Sequence, residues 1–329
     1  MMDGAASSEQ TQAAEYSPEY SVEALLREEL AREGAALGSV APILRHLIGH
    51  DDRTIFADEI VARVRGMAAD VARQLLEAAT PPEDETFPDP ATLDALTAAV
   101  CGSAAFLGHA HALALEWRLT ARLQERLGID PVLSPLVQAL IGSPEPETAA
   151  LSMKLLAAQA RFGNAQRRMQ LPLTELPGDL LHAALIALRA VTGTDAAADR
   201  RAAATEQAIR SRFDESASRL GLIARVVTGM GGGAVAALSL SHAGAAIFLT
   251  TLALASGQDR DVATLAANEN RSARLLLALR AAGLKPQAIE EQFVLLHPEE
   301  VLPPGLDQIS ADRAAAILAA VGPGAGISA

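Results

Sequence analysis

The 329-residue chain carries 40 acidic against 27 basic side chains, a net charge of −13, and half of it is hydrophobic although only 3% is aromatic. Such a charge argues against nucleic acid as a partner, because contact with the phosphate backbone needs a basic surface. Its apolar content is mainly Ala and Leu, strong helix formers, with few strand-forming residues, so the expected class is all-α. The single cysteine, Cys101, cannot form an intramolecular disulfide, and a reducing compartment is the default.

Residues 1–16 are small, polar and aperiodic, and are expected to be a disordered tail. They have neither a basic n-region nor an apolar h-region, so no secretory signal is read and a cytoplasmic location is expected. From Ser17 a capping residue followed by proline recurs, as Ser17-Pro18, Asp89-Pro90, Asp130-Pro131 and Ser143-Pro144. Proline holds the preceding residue extended and is itself at home in the first helical turn, so each pair predicts a helix start.

Between these starts the apolar spacing is helical. Val22, Leu25, Leu26 and Leu30 form one stripe; Val40, Ile43, Leu44, Leu47 and Ile48 form a second. A third helix is predicted over 54–79, with Gly66 inside it, and the proline-rich acidic run 81–90 reads as a linker or loop. Helices follow from Leu93 toward Leu127, from Val132 to Leu140, over 146–162 and from Asp179 through Leu188. A long charged helix is predicted over 196–228. Shorter ones follow at 261–267, 272–282 and 286–296, and a last one is capped by Ser310. The expected organisation is an N-terminal helical subdomain over 17–80, a main helical-repeat domain over 91–321 and a flexible tail at 322–329. Short helices joined by short turns suggest antiparallel pairs stacked into a HEAT-like α-solenoid, at roughly 40 residues per pair.

Residues 226–258 contain no charged side chain. A membrane span, a phosphate-binding glycine turn and a buried helical hairpin all fit that description. Its length exceeds the ~20 residues a span needs. However, Ser239-Leu240-Ser241-His242 and Gly244 interrupt it, so two buried helices over 233–241 and 245–255 are expected. Gly229-Met230-Gly231-Gly232-Gly233-Ala234 fits the dinucleotide fingerprint. Yet Arg225 lies in what would be its strand, and no acid follows about twenty residues on, so a helix–helix turn is preferred.

Other candidates are also incomplete. His46 and His50 lie one helical turn apart, near Asp51 and Asp52, but supply no full ligand set. His109 and His111 would point about 200° apart on a helix and cannot share a metal. Cys101 sits among Ala and Val without a basic neighbour, as an inert thiol does. Arg161, Arg167 and Arg168 form the most basic cluster, at the end of a helix where cations are favourable without a ligand. No catalytic, cofactor or metal residues are therefore assigned.

Over residues 235–285 the sequence resembles an uncharacterised alphaproteobacterial family, a domain of unknown function with all-helical, HEAT-like architecture. The resemblance is carried by Ser241-His242-Ala243-Gly244, Ile247-Phe248, Ser256-Gly257 and Ala281-Ala282-Gly283-Leu284. Ala245 departs from the acidic residue the family carries after the turn glycine. The resemblance implies the fold and no activity. Taken together, the expectation is a non-catalytic, cytoplasmic protein-binding scaffold or regulatory module, with self-association left open. The alternatives are a membrane-associated protein using 226–258, and a helical enzyme or metal or nucleotide binder using His46/His50 or the Gly229–Gly233 turn.

Overall fold

Alanine- and leucine-rich segments fold here as helices throughout. The computed structural model describes residues 22–49, 58–80, 89–193, 195–268 and 272–321, and no strand occurs among the described residues. The chain begins with α1 (Val22–Gly49), α2 (Asp58–Ala79), α3 (Pro90–Cys101), α4 (Ala104–Leu127) and α5 (Pro135–Ile141). It continues with α6 (Pro146–Arg167), α7 (Gly178–Thr192), α8 (Ala196–Arg212) and α9 (Arg219–Gly229). A 3-10 helix, Gly231–Leu238, leads into the single turn α10 (Leu240–Ala243) and then α11 (Ala245–Ser256). The last helices are α12 (Arg260–Asn268), α13 (Ser272–Ala281), α14 (Pro286–Leu296) and α15 (Ala311–Ala320).

Two large apolar clusters, with a small third one of Ala112, Leu115 and Leu265, hold these elements together. The larger gathers Leu26 and Leu30 of α1, Leu119 and Leu123 of α4, and the inner faces of α9, α11 and α13 to α15 around Phe248. The second joins Val71 of α2, Leu96 of α3, Phe106 at the start of α4 and Leu181 of α7. Leu44 of α1 and Leu107 of α4 also belong to the second cluster, so both helices run through both. Buried polar contacts fix the register between distant segments. Glu33 of α1 accepts hydrogen bonds from the Ala273 and Arg274 N–H groups, each at 3.1 Å, and so caps α13 from another helix. Asp70 of α2 accepts from the Leu171 N–H at 3.0 Å, and Gln74 accepts from the Leu173 N–H at 3.1 Å.

One cap–proline pair works as expected: Asp89 accepts from the Thr92 N–H, with Pro90 in the first turn of α3. Two others close turns instead. Asp130 accepts from the Val132 and Leu133 N–H groups, and the helix starts only at Pro135, capped by Ser134. Ser143 accepts from the Glu145 N–H, and α6 begins at Pro146. The short oxygen side chains of Asp and Ser serve turns as readily as helix caps, so the pair alone does not decide. The two stripes predicted between residues 22 and 48 share the single helix α1 despite Pro42. Gly66 serves close packing, since a Cβ there would stand 2.7 Å from the Met169 Cβ. Ser17-Pro18, the predicted tails and most of the acidic loop lie outside the described residues.

The charged helix predicted over 196–228 is two helices, α8 and α9, separated by a 3-10 turn at Glu215–Ala217. Asp214 accepts from the Ser216 N–H, and Ser218 accepts from the Gly221 N–H to restart the helix. Gly221 meets that turn closely: a Cβ there would stand 2.3 Å from the Glu215 carbonyl oxygen. Gly221→Ala is therefore expected to cost about 1–3 kcal/mol, read from the midpoint of urea unfolding.

The uncharged stretch also divides differently from the expectation. Its glycine-rich first part is the 3-10 helix, and it lies largely at the surface, with Val235 67% exposed and only Ala237 and Leu238 buried. Three consecutive glycines offer no side chains to bury and disfavour the α-helix. The second part, α11, is buried nearly all round, as expected. Among the described residues no single helix is long and apolar enough to cross a membrane.

Candidate functional site

The strongest concentration of buried charge lies where α4, α9 and α12 meet. Glu116 of α4 is 2% exposed and Arg219, at the start of α9, is 1% exposed. Arg219 Nη1 donates to Glu116 Oε1 at 2.5 Å and Nη2 donates to Oε2 at 3.2 Å, giving the two-pronged contact that suits guanidinium and carboxylate. Arg260, at the start of α12, donates from Nη2 to Glu116 Oε2 at 2.5 Å and from Nε to Thr250 Oγ1 at 2.9 Å. Burial alone would raise the Glu116 carboxyl, but the two guanidinium charges and their hydrogen bonds overcome it and bring it down to about 2. The Arg219 guanidinium also lies over the Phe162 ring, 3.7 Å from its centroid, and Nη1 reaches Gln159 Oε1 at 3.3 Å. Nearby, Glu175 accepts from the Arg219 backbone N–H at 2.8 Å, and burial pushes its carboxyl upward.

A cavity of about 120 Å³ adjoins this cluster. Its wall is mostly apolar, with Trp117, Ile129, Val132 and Phe162, and it includes the start of α11 at Ala245 and Ala246. Gln124, Asp130 and Arg167 border it and are exposed, so the mouth lies on their side.

A second, larger and more open groove holds about 600 Å³ between α1, the start of α4, the start of α7 and the start of α12. Small residues line much of it, including Gly38, Ala41, Ala104, Ala105 and Gly108. A Cβ placed on Gly38 or Gly108 would meet nothing within 4 Å. Asp179 and Asp259 are exposed at its edge, and Asp261 is half-buried. Deeper in, His109 of α4 is buried, with Nδ1 2.8 Å from Asp261 Oδ2. In that contact Nδ1–H donates to the carboxylate, and Nε2 is buried without a partner. Among the described residues, the groove lining includes no hydroxyl or thiol side chain.

The residues singled out in the sequence scatter across the molecule. His46 is on the exposed side of α1, while His50, Asp51 and Asp52 lie outside the described residues. His109 and His111 are both buried on α4, and the first of them faces the groove. Cys101 is buried, and burial raises its thiol. Arg161, Arg167 and Arg168 end α6 on the surface, and Arg167 alone borders the cavity. The Gly229–Gly233 turn follows a helix, not a strand. Among the described residues no group of three or more His, Cys, Asp or Glu side chains is placed to hold a metal. The Glu116, Arg219 and Arg260 cluster was not found from sequence, because its members stand 103 and 144 positions apart. Its one sequence signal is Glu116 itself, an acid directly after the apolar run Ala112 to Leu115.

Comparison with protein-family models, with curated proteins and with solved structures finds no match for this chain.

Proposed function

We propose that the protein is a non-catalytic helical binding module of the cytoplasm, with its helices paired in a HEAT-like manner, and that it docks a basic amphipathic helix of a protein partner. The observation that carries this reading is the groove between α1, α4, α7 and α12. Its floor of glycine and alanine lets a partner backbone approach closely, and its length of apolar side chains, Leu37, Val40 and Val262, gives anchoring positions. Three aspartates on or near the rim supply the charge that selects Lys and Arg on the partner, in keeping with a net charge of −13.

The test uses a fluorescent 18-residue helical peptide of leucine and lysine against its leucine–glutamate counterpart. Binding of the basic peptide by the whole protein, tenfold or more weaker with Gly108→Phe, supports the reading. Gly108→Phe fills the groove without a clash at its own Cβ. Asp179→Asn together with Asp259→Asn should weaken binding by about tenfold and flatten its salt dependence, since exposed charges act mainly through screened attraction. Equal affinity of the Gly108→Phe protein, or of the acidic peptide, overturns it.

A further inference from the structure

We propose that the cavity between α4, α6 and the start of α11 is a binding site for a neutral, apolar molecule about the size of a benzene ring. The volume of about 120 Å³ is close to that of an engineered apolar cavity, ~150 Å³, that admits benzene. Trp117, Ile129, Val132 and Phe162 give it a wall of two aromatic and two branched side chains. Small residues leave the space open. Ala243, Gly244, Ala245 and Ala246 border it where α11 begins, and a Cβ on Gly163 of α6 would meet nothing within 4 Å. An enclosed space with an apolar wall and an opening to solvent is the usual form of a small-molecule site.

The polar part of the wall is what selects a neutral ligand, because its buried side chains already hold partners within the protein. Both Glu116 oxygens accept from guanidiniums, those of Arg219 and Arg260. Arg219 spends its two Nη atoms on Glu116 and Gln159, and its Nε has no partner and no accessible surface to offer a ligand. Ser134 Oγ accepts from the Val137 N–H. At the mouth, Asp130 and Arg167 contribute one charge of each sign. A carboxylate or an ammonium group entering here would give up its hydration and find no free counter-charge among the described lining residues. A neutral apolar body gives up little, and it displaces water that the engaged side chains hold only weakly.

Thermal unfolding of the full chain in benzene, benzoate and benzylammonium, at matched ionic strength, tests the assignment with one ring and three charges. Benzene at about 10 mM should raise the melting temperature by about 1–3 °C and do so saturably, as a ligand of the folded state alone does. Benzoate and benzylammonium should each raise it less. Gly163→Leu puts a side chain into the open space and removes a glycine from the interior of α6. It should therefore melt, without ligand, at or above the temperature of the parent chain, and should lose the benzene shift. The ¹⁹F signal of fluorobenzene gives a second readout. It should broaden on adding the parent protein, sharpen again on adding excess benzene, and stay sharp with Gly163→Leu. No saturable benzene shift overturns the proposal, as does a shift or a broadening that persists in Gly163→Leu. A Gly163→Leu protein that melts below the parent would show that the volume is not free to fill. A shift as large with benzoate or benzylammonium as with benzene overturns the neutral assignment.

Discussion

Glu116→Gln is expected to lower the melting temperature by about 4–7 °C, the result of a cost of about 3–5 kcal/mol spread over a chain of this size. The cost arises less from a lost attraction than from what stays behind. Arg219 would remain 1% exposed with its guanidinium facing a neutral amide that has one accepting oxygen in place of two. The pH dependence gives a second route to the same figure. The Glu116 carboxyl is lowered from 4.5 to about 2. A lowered carboxylate stabilises the folded state fully above its unfolded value and loses that contribution as pH falls through the folded one. The window is therefore from about pH 4.5 down to about 2, and its size is about 3 kcal/mol at 1.36 kcal/mol per unit. Exposed carboxylates such as Asp195 and Asp199 are also lowered, by helix-start amides and by Arg189 respectively, so only the difference between parent and Glu116→Gln isolates the buried group. Urea unfolding at pH 7, 4 and 3 should show that difference shrinking as acid is added. A constant difference across the three would mean that Glu116 is not the titrating group.

The same cluster separates stability from specificity. Glu116→Leu with Arg219→Met removes both members of the closest pair and should recover much of the lost stability, because apolar side chains of similar volume often replace a buried pair without cost. Arg260, 13% exposed, keeps only Thr250 Oγ1, so the recovery is partial. The cavity beside the cluster would then lose its guanidinium wall while the fold survives.

Helices were legible in the sequence because their signals are local. Apolar stripes at helical spacing, Asp89-Pro90 and Ser310 each involve residues within a turn or two of one another, and each acts as read. The breaks were harder, since they depend on which of two local options neighbouring packing favours. Asp130 and Ser143 carry capping oxygens as Asp89 does but close turns, and the helix predicted over 196–228 breaks at the 3-10 turn Glu215–Ala217, against which only a glycine at 221 fits. The site was least legible of all. The groove takes residues from four helices between positions 37 and 265, and the charge cluster unites Glu116, Arg219 and Arg260 across more than a hundred positions. Nothing in the surroundings of Arg219 in the chain distinguishes it from the surface arginines that make up most of the basic side chains.

The uncharged stretch offers the sharpest contrast within one segment. Phe248→Asp is expected to abolish cooperative folding. Phe248 is fully buried in the first turn of α11, within the larger apolar cluster. Removing its ring costs about 3–5 kcal/mol, and a carboxylate with no partner there adds several more. Their sum reaches the ~5–15 kcal/mol that holds a typical protein folded. Val235→Asp, thirteen positions earlier in the same charge-free run, should change stability by no more than ~0.5 kcal/mol, because that side chain is 67% exposed. Circular dichroism melts of the two variants settle the comparison. A soluble, fully helical Phe248→Asp protein with an unchanged melting point would refute burial of α11. A collapse of Val235→Asp would show that the glycine-rich 3-10 helix is covered after all. The expected pair of results would mean that charge is absent from these residues for two reasons: α11 cannot hold it, whereas the glycine turn before it simply has few side chains on which to carry it.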